Sequence, residues 1–279
     1  MRTMLRASRV GTWLGFALFA VVTLLPFYWI LLSAITPRQD LFSSPVHYWP
    51  EHPTLDNFFA LFTVIPFWSY FVNSSVMSLL SAFVSVLTSF LAAYAFSRIK
   101  FRGSSLLLLF FLITTALPPV STLLPLYDIF ARFHLLNSLL GLIILVSSMI
   151  VPFTVWILVS FVDQIPKELD DAATVDGCPR WLAIFIIVAP ICMPALATMF
   201  VINFVIAWNE LLIPLVFSTN VTSKTLSVGI TELAVQANSM SKPWELISAI
   251  GVAMIVPVMV LVFIFQRAIV SGLTQGAVK

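Results

Sequence analysis

Charge is what this sequence has least of. Its 279 residues include 14 Lys and Arg, 12 Asp and Glu and three His, so 9% are charged while 60% are hydrophobic. A soluble domain carries about a quarter of its residues as charges, and a soluble fold is excluded on that ground. No block of basic residues exists to neutralise phosphates, which excludes nucleic acid as a partner. The two cysteines, Cys178 and Cys192, are too few for a disulfide framework and lack zinc-site spacing. His47, His52 and His134 are scattered over predicted loops, so no metal is expected. The phosphate-cradling G-x-x-x-x-G-K-[ST] loop is also missing. The chain therefore cannot hold ATP in the usual way, and any work it does is powered by a partner or an ion gradient. No pair of carboxylates stands out within the apolar segments to act as acid and base, so the chain is not expected to be an enzyme.

What is abundant is apolar sequence. The mean hydropathy is +1.05 and there are 25 Phe. Several runs reach the roughly 20 residues that cross a bilayer as a helix. Six spans are predicted, at about 12–35, 68–96, 104–126, 139–162, 189–217 and 244–265. The predicted class is an all-α, polytopic membrane protein, a single transmembrane domain over residues 1–279 with short loops. No internal repeat is evident and the deep spans are nearly free of charge, which disfavours an ion-driven secondary transporter.

Basic residues set the orientation. Arg2, Arg6 and Arg9 precede the first span, and Arg98, Lys100 and Arg102 lie between the second and third. Lys167 and Arg180 lie between the fourth and fifth, and Arg267 and Lys279 follow the sixth. The opposite side has only Arg38, Arg132, Lys224 and Lys242. Excess Lys and Arg mark the cytoplasmic side, so both termini are expected there, in a bacterial plasma membrane. The first apolar run is longer than a signal core and LLSAITP is a poor cleavage site, so it is read as an uncleaved span. The loop over 36–67, with five prolines, is extracytoplasmic, either a packed lid or a docking surface. SRIKFRG (Ser97 to Gly103) reads as an anchor facing anionic lipid. The outward loop over 218–243 is expected to be partly helical near 230–236.

The stretch ELDDAATVDGCPRW (Glu168 to Trp181) breaks the apolar pattern with four carboxylates. Pro166 suits a helix start, and Glu168, Asp170 and Asp171 fall where the helix dipole favours negative charge. Asp176-Gly177 signals a turn and Pro179 a second helix. Glu168, Asp171, Ala172 and Val175 follow i, i+3, i+4, i+7 spacing and share one face. That face can dock into a groove on another protein; helix capping and solubility explain the charges equally well.

The same stretch resembles the EAA motif of bacterial ABC importer permeases through Asp171-Ala172-Ala173, Asp176-Gly177 and the apolar run to Pro190 and Pro194. FVNSSVMS and AAYAFSRIKFRG, AWNELLIPL at Ala207 to Leu215 and the closing FQRAIVSGLTQGAVK look like the carbohydrate branch, the maltose-type G subunits. The resemblance covers essentially the whole chain. Asp171 stands where Glu is usual, Cys178 where Ala or Ser is usual, and the tail has one Gly fewer. The resemblance implies an ABC importer type I transmembrane fold. Residues 163–189 then form the cytoplasmic coupling loop, with Glu168, Asp171, Ala172, Ala173, Asp176 and Gly177 at the ATPase. Residues 266–279 become a cytoplasmic tail that reaches the ATPase subunits through Arg267, Ser271, Gly272, Leu273, Thr274 and Gly276. The implied partners are a second homologous permease, two ATPase subunits that bind ATP and Mg, and an extracytoplasmic substrate-binding protein. The implied cargo is a sugar, oligosaccharide or glycoside, with glycerol 3-phosphate or a related polyol compound as the rival. No Lys or Arg falls within the core of a span, which leans toward neutral cargo.

Polar residues inside spans are costly. Asn203, Asn209 and Glu210 are the candidate translocation path, Asn203 and Glu210 being seven apart on one predicted face. For Asn209 and Glu210 the alternative is a gate or structural role. Asn73 and Thr114 are read as interhelical hydrogen bonders.

Overall fold

The computed structural model describes the backbone of residues 2–45, 47–99, 101–236 and 242–275, with side chains described for 12–45, 47–99, 101–235 and 242–270. The described residues form helices and no strand. Among the described residues, five helices are long and apolar enough to cross a membrane, or six spans if one bent pair is counted as one. Four of the six predicted spans coincide closely with helices: α1 (Arg2–Ile35), α4 (Phe67–Arg98), α7 (Leu139–Val162) and α13 (Trp244–Gln275). Between α1 and α4 lie α2 (Arg38–Leu41) and α3 (Asp56–Val64).

The third predicted span is not one helix. α5 (Ser104–Thr115) and α6 (Pro119–Arg132) are bent by 97°. Pro118 and Pro119 cause the break. Neither can donate a backbone hydrogen bond, and a residue that precedes proline is pushed out of the α region. Pro118 accordingly takes φ −61°, ψ 122°, and Pro119 sits at the start of α6, where a missing N–H costs nothing.

The fifth span is displaced from its predicted limits. Its apolar stretch begins with α8 (Glu168–Val175) behind it, passes through α9 (Arg180–Ala183) and a π-helical turn at Ile184–Val188, and continues as α10 (Ala189–Trp208). It ends there, and α11 (Leu212–Phe217) is a separate short helix. An unbroken helix to Phe217 would put the Pro214 ring against the carbonyl of Glu210. The chain breaks at Asn209 instead, and a Glu210 carboxylate oxygen accepts the Ile213 N–H at 3.1 Å. The polar loop that follows leads into α12 (Leu226–Gln236), which begins earlier than expected.

The chain divides into two compact units. In the unit made of 1–67 and 229–256, the Asn57 amide donates to the carbonyls of Ala34 and Thr36, at 2.9 Å each, and so closes the end of α1. Arg38 meets the buried carboxylate of Glu245 at 3.3 Å. In the unit made of 68–228 and 257–279, α4 presents Ser74, Ser78, Ser81, Ser85 and Ser89 on one buried face. Small side chains let helix backbones approach closely in a membrane. Ser81 and Ser89 reach the carbonyls of Ile143 and Val151 on α7, and Ser147 reaches that of Ser81. Below this stripe, Phe90, Ala93 and Tyr94 of α4 share a core with Leu158, Val162, Val188, Cys192 and Met199.

Candidate functional site

The acidic stretch folds as its residues dictate. The Lys167 carbonyl accepts from Asp170 and Asp171, opening α8 with Glu168, Asp170 and Asp171 in the first turn. Pro166 lies just ahead of the helix, not inside it, and its carbonyl accepts from Leu169 at 3.4 Å. The other end closes as a Schellman motif. The Cys178 N–H bonds the Ala173 carbonyl at 2.9 Å and the Gly177 N–H bonds that of Thr174 at 3.1 Å. Gly177 has φ +78°, a backbone geometry costing an L-residue about 1 kcal/mol or more. Asp176 is the C-cap, and its N–H bonds Ala172. Pro179 then opens α9 by accepting from Leu182 and Ala183.

Glu168, Asp171, Ala172 and Val175 are all exposed, as their shared face predicts. Val175 is 87% exposed, which places an apolar side chain at the C-terminal end of the face that carries Glu168 and Asp171. The opposite face is anchored. Ala173 is buried, and Asp170 turns inward to two groups at the end of α4. Arg98 Nε donates to Asp170 Oδ2 at 2.7 Å, and Tyr94 donates its hydroxyl hydrogen to Asp170 Oδ1 at 3.0 Å. Arg98 Nη2 also donates to the Ile165 carbonyl at 2.8 Å, and Nη1 to Ser97 Oγ at 3.2 Å. The Arg98 side chain is only 7% exposed and that of Asp170 18%. Removing one partner of such an enclosed pair strands a charge and costs about 3–5 kcal/mol.

This pair was hidden in the sequence. Arg98 reads there as one of three basic residues of a lipid-facing anchor, and Asp170 as one of several helix-start acids. The structure corrects the first, since the Arg98 side chain is enclosed, and keeps Asp170 in the first turn of α8 while giving it a partner. Opposite charges on the same predicted side were the available signal, but spacing alone cannot choose Arg98 over Lys100 or Arg102.

The candidate path residues separate. Asn203 is fully buried, and its amide donates to Ser85 Oγ at 2.9 Å and to Thr154 Oγ1 at 3.1 Å. Thr154 can pass its own hydrogen to the Ile150 carbonyl at 3.0 Å, so α4, α7 and α10 are tied at one point. Asn209 is exposed at the end of α10, and its amide bonds the Val205 carbonyl at 2.8 Å. Asn203 and Glu210 do not share a helix face, because α10 ends at Trp208. Trp208 is buried and stacks on Phe204. The Asn73 amide donates to the carbonyls of Val221 and Lys224, and Ser74 Oγ accepts from Leu226 N–H. These two pin the polar loop before α12, whereas Thr114 bonds its own helix at Phe111. Arg267 is exposed on α13, and the backbone of Ser271, Gly272, Leu273 and Thr274 continues that helix. Most of the expected tail is thus an extension of the last helix. Gly276 lies outside the described residues.

Residues 85–275 match the family described as binding-protein-dependent transport system inner membrane component. The chain is 38% identical over 256 residues to the sulfoquinovosyl glycerol transport system permease protein of Agrobacterium fabrum, which spans 92% of this chain and 89% of that one. It is 32% identical over 274 residues to the trehalose/maltose transport system permease protein of Thermococcus litoralis, covering 98% and 97%. A chain from the crystal structure of a bacterial ABC transporter that imports the acidic polysaccharide alginate superposes with a TM-score of 0.80, at 19% identity, covering 94% of this chain and 96% of that chain. That likeness extends the comparison to the fold.

Proposed function

The chain belongs to the binding-protein-dependent transport system inner membrane components, and on that premise we propose that it is the permease subunit of an ABC importer for a sugar, oligosaccharide or glycoside. Identity along nearly the whole chain to permeases named for sulfoquinovosyl glycerol and for trehalose and maltose carries this reading. The chain has no nucleotide loop of its own. ATP and Mg are bound by two ATPase subunits, and a second homologous permease and an extracytoplasmic binding protein complete the complex.

α8 is the docking helix. Its exposed face offers Glu168 and Asp171 to basic groups and Val175 to an apolar pocket, the combination by which short helices seat in grooves. Ala172 keeps the face shallow between them, while Ala173, Asp176 and Gly177 set the helix position and its stop. Both termini and the segment 163–189 face the cytoplasm, and Arg267 with 271–275 extends toward the ATPase subunits. On the path, Asn209 and Glu210 supply amide and carboxylate partners for sugar hydroxyls. Asn203 holds the helices around it.

The cargo is tested on the cognate binding protein by calorimetry against trehalose, maltose, sulfoquinovosyl glycerol and glycerol 3-phosphate. A glycoside is expected to bind, and the loaded protein to accelerate ATP hydrolysis by the purified complex. Tight binding of glycerol 3-phosphate with no glycoside bound would overturn the cargo class.

A further inference from the structure

We infer that Arg98 is a positioning residue that clamps the docking helix to α4, so that motion imposed on α8 reaches this span. The inference rests on the docking role of α8.

α8 has two ways to move. The linker 163–167 joins it to α7, and the Gly177 turn joins it to α9. Flexing at either joint would absorb a push on the exposed face. Arg98 blocks the first of these joints by holding the linker and the helix with one guanidinium. Its Nε and Nη2 bind two different parts of the loop, the Asp170 carboxylate at 2.7 Å and the Ile165 carbonyl at 2.8 Å. Tyr94, one turn back along α4, takes the other Asp170 oxygen at 3.0 Å. Asp170 lies on the face opposite Glu168 and Asp171, so partner contact and clamp use different sides of the same helix. The guanidinium is planar and forks rigidly, unlike an ammonium. It transmits orientation as well as attraction. Tyr94 and Ile165 also sit in the apolar core with Val162, Val188 and Cys192, so the clamp is mounted on packed side chains.

The test is hydrogen exchange on the assembled complex in nanodiscs, nucleotide-free and trapped with ATP and orthovanadate. In wild type, trapping is expected to change exchange in residues 168–176 and in 90–98 together. In Arg98→Met, amides of 168–176 should exchange about tenfold faster or more in the nucleotide-free complex, the loss expected for hydrogen bonds to a charge. Trapping should still alter 168–176 but no longer alter 90–98. Tyr94→Phe should give a smaller shift of the same kind, and Arg98→Asp with Asp170→Arg should restore part of the wild-type response. If both single variants leave the two segments responding as wild type, the clamp is refuted while docking stands. If 168–176 of the wild type ignores trapping, the docking reading fails, and the clamp's role with it.

Discussion

Asn203 and Asn209 show how position on one helix changes what an amide does. Both read as expensive polar residues inside a span. Asn203 spends its hydrogen bonds on Ser85 and Thr154 of two other helices, whereas Asn209 folds back on its own helix end. Asn203→Leu should therefore destabilise the purified chain by about 1–2 kcal/mol, since Ser85 and Thr154 lose a buried partner. Asn209→Leu should stay within about 0.5 kcal/mol of wild type. Thermal unfolding in detergent checks this, and equal losses would contradict the assignment. Neither outcome was readable from the sequence. It shows which residues are polar, but the partners of Asn203 lie 49 and 118 positions away, and only packing brings them together.

At the scale of the element, α8 was the most legible part of the chain, because everything that builds it is local. The Lys167 carbonyl as first acceptor, three first-turn acids, two alanines and a left-handed glycine lie within a dozen residues and need no distant contact. Its exposed face follows from 3.6-residue periodicity alone. Asp171→Lys puts a positive charge on that face without touching Asp170 or the Gly177 turn. The expected result is loss of the ATPase subunits from the tagged permease on pull-down, with α8 still folded by hydrogen exchange. Retention at wild-type stoichiometry would sink the docking role of Asp171. The bent third span was less legible, although its cause is equally local. Pro118-Pro119 is visible in the sequence, but the hydropathy on both sides masks a break of 97°. The fifth span was shifted because the second helix that Pro179 opens runs on through a π turn into the span, which then ends at Trp208.

For the whole molecule, the proposed orientation makes the two cysteines useful. Cys178 lies at the Gly177 turn and is partly exposed, while Cys192 is buried against α4 and α7. A membrane-impermeant maleimide should label Cys178 in inside-out vesicles and not in right-side-out ones, and should leave Cys192 unlabelled in both. Labelling of Cys178 from outside would invert the topology. The sequence by itself determined the membrane class, the all-α architecture, the approximate spans and the acidic helix α8. Each depends on composition or on neighbours within a few turns, where hydrophobic length, proline and capping act directly. Only the tertiary structure decided which polar groups meet: Arg98 with Asp170 across 72 positions, and Asn203 with Ser85 and Thr154. The physical reason is that in an apolar bundle every buried polar group needs a partner. The identity of that partner depends on which helix faces pack together, which local sequence does not encode.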